Sequence, residues 1–122
     1  MPKASVKRLI ECNKKQLVDL VLDIENYPKF VPYCLEATVY EKKEEENLIL
    51  IIADLTIGKG PFKATYKSDV KYDKNTDIIQ VTNIEGPLKY LDNKWVFLNK
   101  GSYTEISFDI DFEIENKFLN IV

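Results

Sequence analysis

Apolar and polar residues alternate strictly in the C-terminal part of the chain, and this period of two is typical of β-strands with one buried face. The clearest example is residues 103–114, YTEISFDIDFEI, in which Phe108, Ile110, Phe112 and Ile114 alternate with Ser107, Asp109, Asp111 and Glu113. Residues 62–72 repeat the pattern, with Phe62, Ala64, Tyr66, Val70 and Tyr72 opposite Lys63, Lys67, Asp69 and Lys71. The alternation predicts an antiparallel sheet with one apolar and one solvated face.

The remaining strands are delimited by turn residues. Residues 5–12 predict a first strand, and the segment from 36 to 57 predicts two strands joined by a charged turn at Glu44–Asn47. The glycines of IGKGPF (57–62) predict a turn, as does DKNTD (73–77) before the strand IIQVTNI. We expect EGPLKYLDN (85–93) to be a loop because of its Gly-Pro pair, followed by the strand KWVFL and the turn NKGS.

One short amphipathic helix is predicted after the first strand. Asn13 is a good N-cap residue, and Gln16 stands at the capping-box position three residues later. The apolar stripe at i, i+3, i+4 and i+7 consists of Leu17, Leu20, Val21 and Ile24. Pro28 ends this helix near Glu25–Asn26 and favours a second helical turn, since proline costs nothing at the first helical position.

The predicted order is therefore one strand, a helix, a helical turn and six further strands in an antiparallel meander, an α+β fold. A helix of about three turns is too short to cover seven strands. Residues 115–122, ENKFLNIV, resemble the first turns of another helix. We therefore expect a single domain over 1–122, truncated at the start of a C-terminal helix. Because its apolar face would be exposed, we expect this chain to pair, to swap a segment or to aggregate.

The composition limits the possible partners and compartments. The 122 residues carry a formal net charge of −3, and Arg8 is the only arginine, which disfavours a nucleic-acid binder; no DNA partner is expected. We find no signal peptide and no apolar run of membrane-spanning length, so the chain is predicted to be cytoplasmic, with peripheral contact to the inner membrane as an alternative. Cys12 and Cys34 are far apart without metal-ligand spacing, and free thiols are favoured over a disulfide.

The catalytic inventory is small. The sequence has no histidine, which excludes imidazole bases and the usual His/Cys metal sites; neither a catalytic residue nor a metal site is expected. IGKGPF lacks the spacing of a phosphate-binding loop. The acidic row Asp109, Asp111 and Glu113 is best explained as a solvated strand face. The row of Lys63, Lys67 and Lys71 is explained in the same way, with contact to RNA or lipid phosphates as the alternative.

Three segments resemble, in this order, the coenzyme-Q-binding START family: DLVLDIENYPKFVPYC (19–34), GPLKYLDNKWVF (86–97) and ISFDIDFEIENKFL (106–119). That family includes the bacterial ribosome-association toxins and proteins called oligoketide cyclases or lipid transport proteins. The resemblance implies a helix-grip fold, in which a curved antiparallel sheet wraps a long C-terminal helix and leaves a tunnel between them. The family's long helix continues past the equivalent of Val122, so a ligand prediction applies to the complete domain.

Between the helices and the second strand, Pro28 and Pro32 fix the backbone beside three aromatic rings. The family resemblance places this segment at one end of the tunnel. For Tyr27 we favour a core position, because most aromatic rings in small domains are buried. For Phe30 and Tyr33 two interpretations are open, a rigid lip of the tunnel or a seal over the core.

The predicted ligand-lining residues are the inward-facing apolar side chains, the two aromatic residues of the lip and one cation. They are Arg8, Ile10, Phe30, Tyr33, Tyr66, Val70, Val81, Trp95, Phe97, Phe108, Ile110 and Phe112. The apolar set suits a ligand that is mostly hydrocarbon with one polar end; a packed core without a cavity is the alternative. Alternation directs Arg8 inward, where it could bind a quinone carbonyl or a headgroup; pairing with a carboxylate at the sheet edge is slightly preferred.

The leading hypothesis is a non-enzymatic protein that binds ubiquinone or another isoprenoid lipid and supports respiration. Ubiquinone or lipid is the only bound group expected, and it is a ligand and not a catalytic cofactor. The alternative, implied by the toxin branch of the family, is a protein that binds the large ribosomal subunit and blocks subunit joining. A polyketide cyclase is disfavoured by the absent histidine and by the lack of an inward-facing acid.

Overall fold

The helical segment of the computed structural model, which describes residues 3–86 and 88–114, begins at its predicted cap. Helix α1 spans Lys14–Leu22, and the Asn13 side-chain oxygen accepts a 2.8 Å hydrogen bond from the Gln16 amide. The helix ends earlier than predicted, and a 3-10 turn over Ile24–Asn26 continues the chain. Helix α2, Tyr27–Phe30, has Pro28 in its first turn as predicted.

Seven strands form one antiparallel sheet in the order β1-β7-β6-β5-β4-β3-β2. The strands are β1 Lys3–Ile10, β2 Cys34–Glu44, β3 Leu48–Lys59, β4 Phe62–Asp73, β5 Ile78–Glu85, β6 Leu88–Lys100 and β7 Tyr103–Ile114. Each strand after α2 pairs with the next one along the chain, because short turns connect them. Strand β1 lies at one edge of the sheet, where it pairs with β7. The predicted element order is confirmed.

The predicted bounds of β1 and β6 were also wrong. Strand β1 ends at Ile10, two residues early, because Cys12 belongs to the turn into α1: its amide donates to the Ile10 carbonyl and its carbonyl accepts from the Thr104 hydroxyl. The predicted loop at 85–93 is largely the first half of β6. A register shift between Leu88 and Tyr90 hid the alternation there.

One face of the sheet, called the inner face, packs against α1. Register places Val6, Phe108, Trp95, Ile79, Tyr72 and Ile49 side by side in one row across this face. The neighbouring row contains Ala4, Ile110, Asn93, Val81, Val70 and Ile51. The period-two assignments for β4 and β7 are thereby confirmed for the described side chains.

The core lies between α1 and the centre of the sheet. Leu17, Val18 and Ile24 are buried against a cluster formed by Ile51, Ala53, Val70, Ile79 and Phe97. The predicted helix stripe was wrong at one position, since Leu20 is 48% exposed and Val18 takes its place. The buried residues of α1 are therefore the adjacent pair Leu17 and Val18.

Several expectations concern the surface and the end of the chain. The expected C-terminal helix falls on residues 115–122, which lie outside the described residues. Cys12 and Cys34 are free thiols, as predicted. Within the part of the chain that the structure describes, no helix has the length and hydropathy needed to cross a bilayer.

Candidate functional site

The inner face carries an aromatic cluster on β6 and β7. The Trp95 and Phe108 rings meet edge to face with centroids 4.7 Å apart, and Trp95 stacks on Phe97 at 6.4 Å. Phe97 is buried, whereas Trp95 and Phe108 are half-buried. The cluster therefore extends from the core under α1 to the open part of the inner face.

A buried amide organises the polar atoms of this cluster. The Asn93 side-chain nitrogen donates a 2.9 Å hydrogen bond to the Asp109 carbonyl, and its oxygen accepts one of 2.9 Å from the indole N–H of Trp95. A buried polar group without a partner would cost about 1–3 kcal/mol. Since the amide and the indole satisfy each other, the surface that this part of the inner face presents is mostly hydrocarbon. Sequence reasoning did not select Asn93, because one polar residue interrupts the apolar pattern.

The predicted lining residues divide into two groups. Val70 and Phe97 are core residues beneath α1, with 4% and 1% of their surface exposed. The other apolar residues on the strands are half-buried or exposed, namely Ile10, Tyr66, Val81, Trp95, Phe108, Ile110 and Phe112. At the β1 end of the same face Val6 is 40% exposed. The second group, together with Val6, forms what we call the open half of the inner face.

Arg8 lies beside the open half, at the sheet edge. Register pairs it with Ile106, so its side chain is on the inner side as predicted. Its guanidinium donates a 3.0 Å hydrogen bond to the Lys7 carbonyl. The preferred partner was wrong, because no described carboxylate lies within ion-pair distance of Arg8. The strand itself supplies the acceptor.

The aromatic segment around α2 contains one buried and two exposed rings. Tyr27 packs on the core and donates its hydroxyl to the Val21 carbonyl, and burial raises the pKa of Tyr27 above its ordinary range, as does nearby Tyr66. The core position predicted for Tyr27 is confirmed. Phe30 and Tyr33 are 44% and 59% exposed, and the Phe30 ring meets Tyr27 edge to face with centroids 5.6 Å apart. Their role as a lip of the tunnel or as a seal over the core stays a prediction.

Tyr66 and Cys34 lie close to Tyr27 at this end of the sheet. Burial raises the pKa of the Tyr66 hydroxyl, with a smaller contribution from the Cys34 thiol. Burial also raises the pKa of Cys34. Both groups therefore stay protonated and neutral at neutral pH, which keeps this end of the inner face uncharged.

A cavity of about 870 Å³ lies on the other side of α1, beside the ends of β2–β4. Its apolar wall comes from Val18, Leu22, Ile24, Val39, Ile49 and Ile51, and its rim is charged. At the rim the Lys14 ammonium is 2.7 Å from the Asp77 carboxylate, and the Tyr72 hydroxyl donates to Asp77 at 2.6 Å. None of the predicted lining residues contributes to this cavity.

Sequence reasoning missed the cavity because of a register shift in β2. After the shift between Val39 and Glu41, Lys42 and Glu44 share the inner face with Val39. Simple alternation from Val39 would have turned Glu41 and Lys43 inward. A β-bulge re-aims side chains in this way and leaves no clear signal in a charged sequence.

The charged rows lie on the outer face, as predicted. Asp109 accepts the Ser5 hydroxyl, Asp111 accepts the Tyr90 hydroxyl at 2.9 Å, and the Glu113 carboxylate is 3.3 Å from the Lys89 ammonium. In the basic row, Lys67 is 3.4 Å from Glu85 and lies over the Tyr40 ring. Within residues 3–86 and 88–114, no cluster of acidic or cysteine side chains is arranged to hold a metal ion.

The family model described as polyketide cyclase / dehydrase and lipid transport matches residues 12–122. The chain belongs to this family. A family relative from Rickettsia prowazekii, the ribosome association toxin RatA, is 30% identical over 93% of this chain and 77% of its own length. The mitochondrial coenzyme Q-binding protein COQ10 of Dictyostelium discoideum is 32% identical over 67% of this chain and 39% of its own length.

The fold agrees with this family assignment. A START superfamily protein from Mycobacterium smegmatis superposes with a TM-score of 0.79 over 93% of this chain and 77% of its own, at 14% identity, a level that concerns the fold alone. The family resemblance inferred from three sequence segments is confirmed, as is the START-like sheet with two short helices. The relatives carry names from two functional classes, ribosome association and coenzyme Q binding.

Proposed function

We propose that the chain binds a hydrophobic ligand of the isoprenoid-quinone class on the open half of the inner face, without catalysing a reaction. The observation that carries the proposal is that this half is apolar and partly exposed while Asn93 and Trp95 satisfy each other. The coenzyme Q-binding relative supports the ligand class. We infer a cytoplasmic protein that meets the membrane peripherally, because such ligands reside in bilayers.

The binding energy would come from burial of the isoprenoid tail against the aromatic cluster. Each methylene removed from water contributes about 0.8 kcal/mol. The T-shaped pair of Trp95 and Phe108 offers ring edges and faces at which an unsaturated tail packs well. Arg8 stands at the margin of this surface, and its guanidinium has further N–H groups for a quinone carbonyl.

The test introduces the same bulky side chain on the two faces of neighbouring strands. Val81→Trp fills the inner face, whereas Val96 lies in register with Ile78 and Ser107 on the outer face. We expect Val81→Trp in the full-length protein to lower the retained ubiquinone at least tenfold, measured by native mass spectrometry after incubation with ubiquinone. Val96→Trp should leave retention within about twofold. Overpacking should lower the stability of both variants by roughly 1–3 kcal/mol, so melting curves accompany each measurement.

Equal ubiquinone retention by the folded Val81→Trp and wild-type proteins would remove the proposal. Lipid extraction from protein purified without added ligand then identifies the native ligand. Val70→Trp is a second filling variant, but Val70 is 4% exposed beneath α1, and a larger loss of stability is expected there.

A second candidate function is binding to the large ribosomal subunit with a block of subunit joining. The similarity to the ribosome association toxin over 93% of the chain supports it. The outer lysines Lys63 and Lys71 are exposed and are the natural contacts for RNA phosphates. Their row also contains Asp69, and Lys67 is engaged with Glu85, so the positive field on this face is weak.

Charge reversal separates the two candidates. If the protein acts on the ribosome, replacing Lys63, Lys67 and Lys71 by glutamate should weaken co-sedimentation with large subunits in a salt-dependent way. Val81→Trp should then matter little. If the protein acts by ligand binding, the lysine reversals should leave ubiquinone retention nearly unchanged, because those side chains lie on the outer face.

A further inference from the structure

The two edge strands of the sheet, β1 and β2, differ in the regularity of their pairing and in the elements that cover them. The β2 edge has two register shifts and lies against α2 and the Ile24–Asn26 turn. The β1 edge pairs with β7 over Lys3–Ile10 without a shift, and all eight of its residues are exposed. Bulges, covering elements and charged edge residues are the usual means of preventing strand addition. Among the described residues the β1 edge has no bulge and no covering element, and its only such device is the charge of Lys3, Lys7 and Arg8.

The exposed edge is also apolar on both of its sides. Val6 and Ile10 are 40% and 37% exposed on the inner side, and Leu9 is 58% exposed on the outer side. A strand added beside β1 would cover these side chains with its own alternating residues. Backbone hydrogen bonds and side-chain burial would then act together, which is the usual basis of strand addition.

The charges of β1 determine which kind of strand can pair with its free edge. Residues 3–10 contain Lys3, Lys7 and Arg8 and no acid, in a chain whose net charge is −3. Lys3 has an acidic neighbour at 3.7 Å, the Asp111 carboxylate, whereas no described acid pairs with Lys7 or Arg8. Antiparallel pairing of two β1 strands would bring both sets of cations together, and like charges in adjacent strands are destabilising. A second copy of this chain is therefore a poor occupant.

We propose that the β1 edge receives an extended acidic segment of another protein as an added strand of the seven-stranded sheet. The added strand would share Val6, Arg8 and Ile10 with the margin of the proposed ligand site, but its backbone pairing with β1 requires no bound ligand. The cations of β1 exclude basic strands and self-association, and they attract a partner strand that carries glutamate or aspartate at alternate positions.

The test uses a fluorescein-labelled peptide of eight residues in which glutamate alternates with valine or threonine, added to the full chain. We expect saturable binding by fluorescence anisotropy and slower amide hydrogen exchange within 3–10. The same peptide N-methylated at every residue has no backbone N–H on either edge, so it cannot form a regular backbone ladder and should bind at least tenfold more weakly. A lysine-for-glutamate version should not bind.

Matched charge reversals localise the effect. Lys7→Glu with Arg8→Glu should weaken peptide binding at least tenfold, whereas Lys63→Glu with Lys71→Glu on the outer face of β4 should change it by no more than about threefold. Melting temperatures confirm that each variant is folded. Absence of binding, equal binding of the N-methylated peptide, or equal losses in the two double variants would each overturn the proposal. A dimer of the wild-type chain that slows amide hydrogen exchange within 3–10 would show that a second copy occupies the edge instead.

Discussion

The indole N–H of Trp95 donates a 2.9 Å hydrogen bond to the side-chain oxygen of Asn93, two residues earlier on the same strand and on the same face. The Asn93 nitrogen is held in turn by the Asp109 carbonyl on β7. This pair fixes the orientation of the only tryptophan in the chain, and with it the wall of the proposed ligand site.

Asn93→Ala should lower the free energy of unfolding by about 2–3 kcal/mol, because it leaves the indole N–H and the Asp109 carbonyl without their partner. Trp95→Phe keeps an aromatic ring and removes the donor. Urea unfolding of both single variants and the double variant gives the coupling energy, which we expect to exceed about 0.5 kcal/mol. Additive effects would mean that the hydrogen bond contributes nothing to the folded state.

The different burial of two leucines on α1 predicts that the same substitution lowers the free energy of unfolding by different amounts. Leu17 is 9% exposed in the core cluster, and Leu20 is 48% exposed. Leu17→Ala should cost about 2–4 kcal/mol of unfolding free energy, because it leaves a cavity. Leu20→Ala should cost less than about 1 kcal/mol. Equal losses of unfolding free energy, measured by urea denaturation, would mean that Leu20 lies on the buried face of α1, as the i, i+3, i+4 spacing predicted.

Much of the fold followed from the period-two pattern. The β7 segment alternates without interruption, so its inner residues, such as Phe108 and Phe112, were assigned correctly. The pattern failed where a polar side chain points inward and finds partners there. Asn93 breaks the apolar series, and it bonds to Trp95 on its own strand and to the Asp109 carbonyl on β7. A single sequence contains no sign of that pairing.

The site was predicted less completely than the fold. Alternation assigns Val70 and Val81 to the same face but cannot distinguish a residue beneath α1 from one on the open half. Exposure depends on where α1 lies, and the helix position results from packing. The cavity beside α1 was missed for a related reason, since a one-residue bulge after Val39 reverses the direction of Lys42.

Glycine is required at position 86 because the backbone there passes close to Tyr66 on β4. Its φ is +135°, and a Cβ added there would lie 2.7 Å from the Tyr66 Cβ and 2.8 Å from the Tyr66 Cα. Gly86→Ala should therefore lower the unfolding free energy by at least about 2 kcal/mol and displace Tyr66 from the inner face. At Gly101, with φ +71° and open space around it, the same change should cost only about 1 kcal/mol. Thermal unfolding of the two variants tests this, and similar losses would exclude the contact with Tyr66 as the cause.

The last prediction concerns acid stability and the ion pair at the rim of the cavity. Burial alone would raise the pKa of Asp77, but the hydrogen bonds from Lys14 and Tyr72 and the charge of Lys14 outweigh it, so this pKa lies below the ordinary 3.8. Because the folded-state pKa is depressed, the associated stability is complete above the unfolded value and is lost as the pH falls through the folded value. Asparagine adopts the left-handed φ of 56° at position 77 as readily as aspartate does. Asp77→Asn should therefore lower the urea midpoint at pH 7 through the loss of the charge alone. The difference from wild type should shrink below about pH 4, where the unfolded chain already binds the proton.

Asp19→Asn is the control. Asp19 also pairs with a lysine, Lys15 at 2.9 Å, but on the exposed face of α1, where such a pair contributes at most about 0.5 kcal/mol. A midpoint difference for Asp77→Asn that stays constant from pH 7 to about pH 3 would show that the carboxylate charge contributes no stability there.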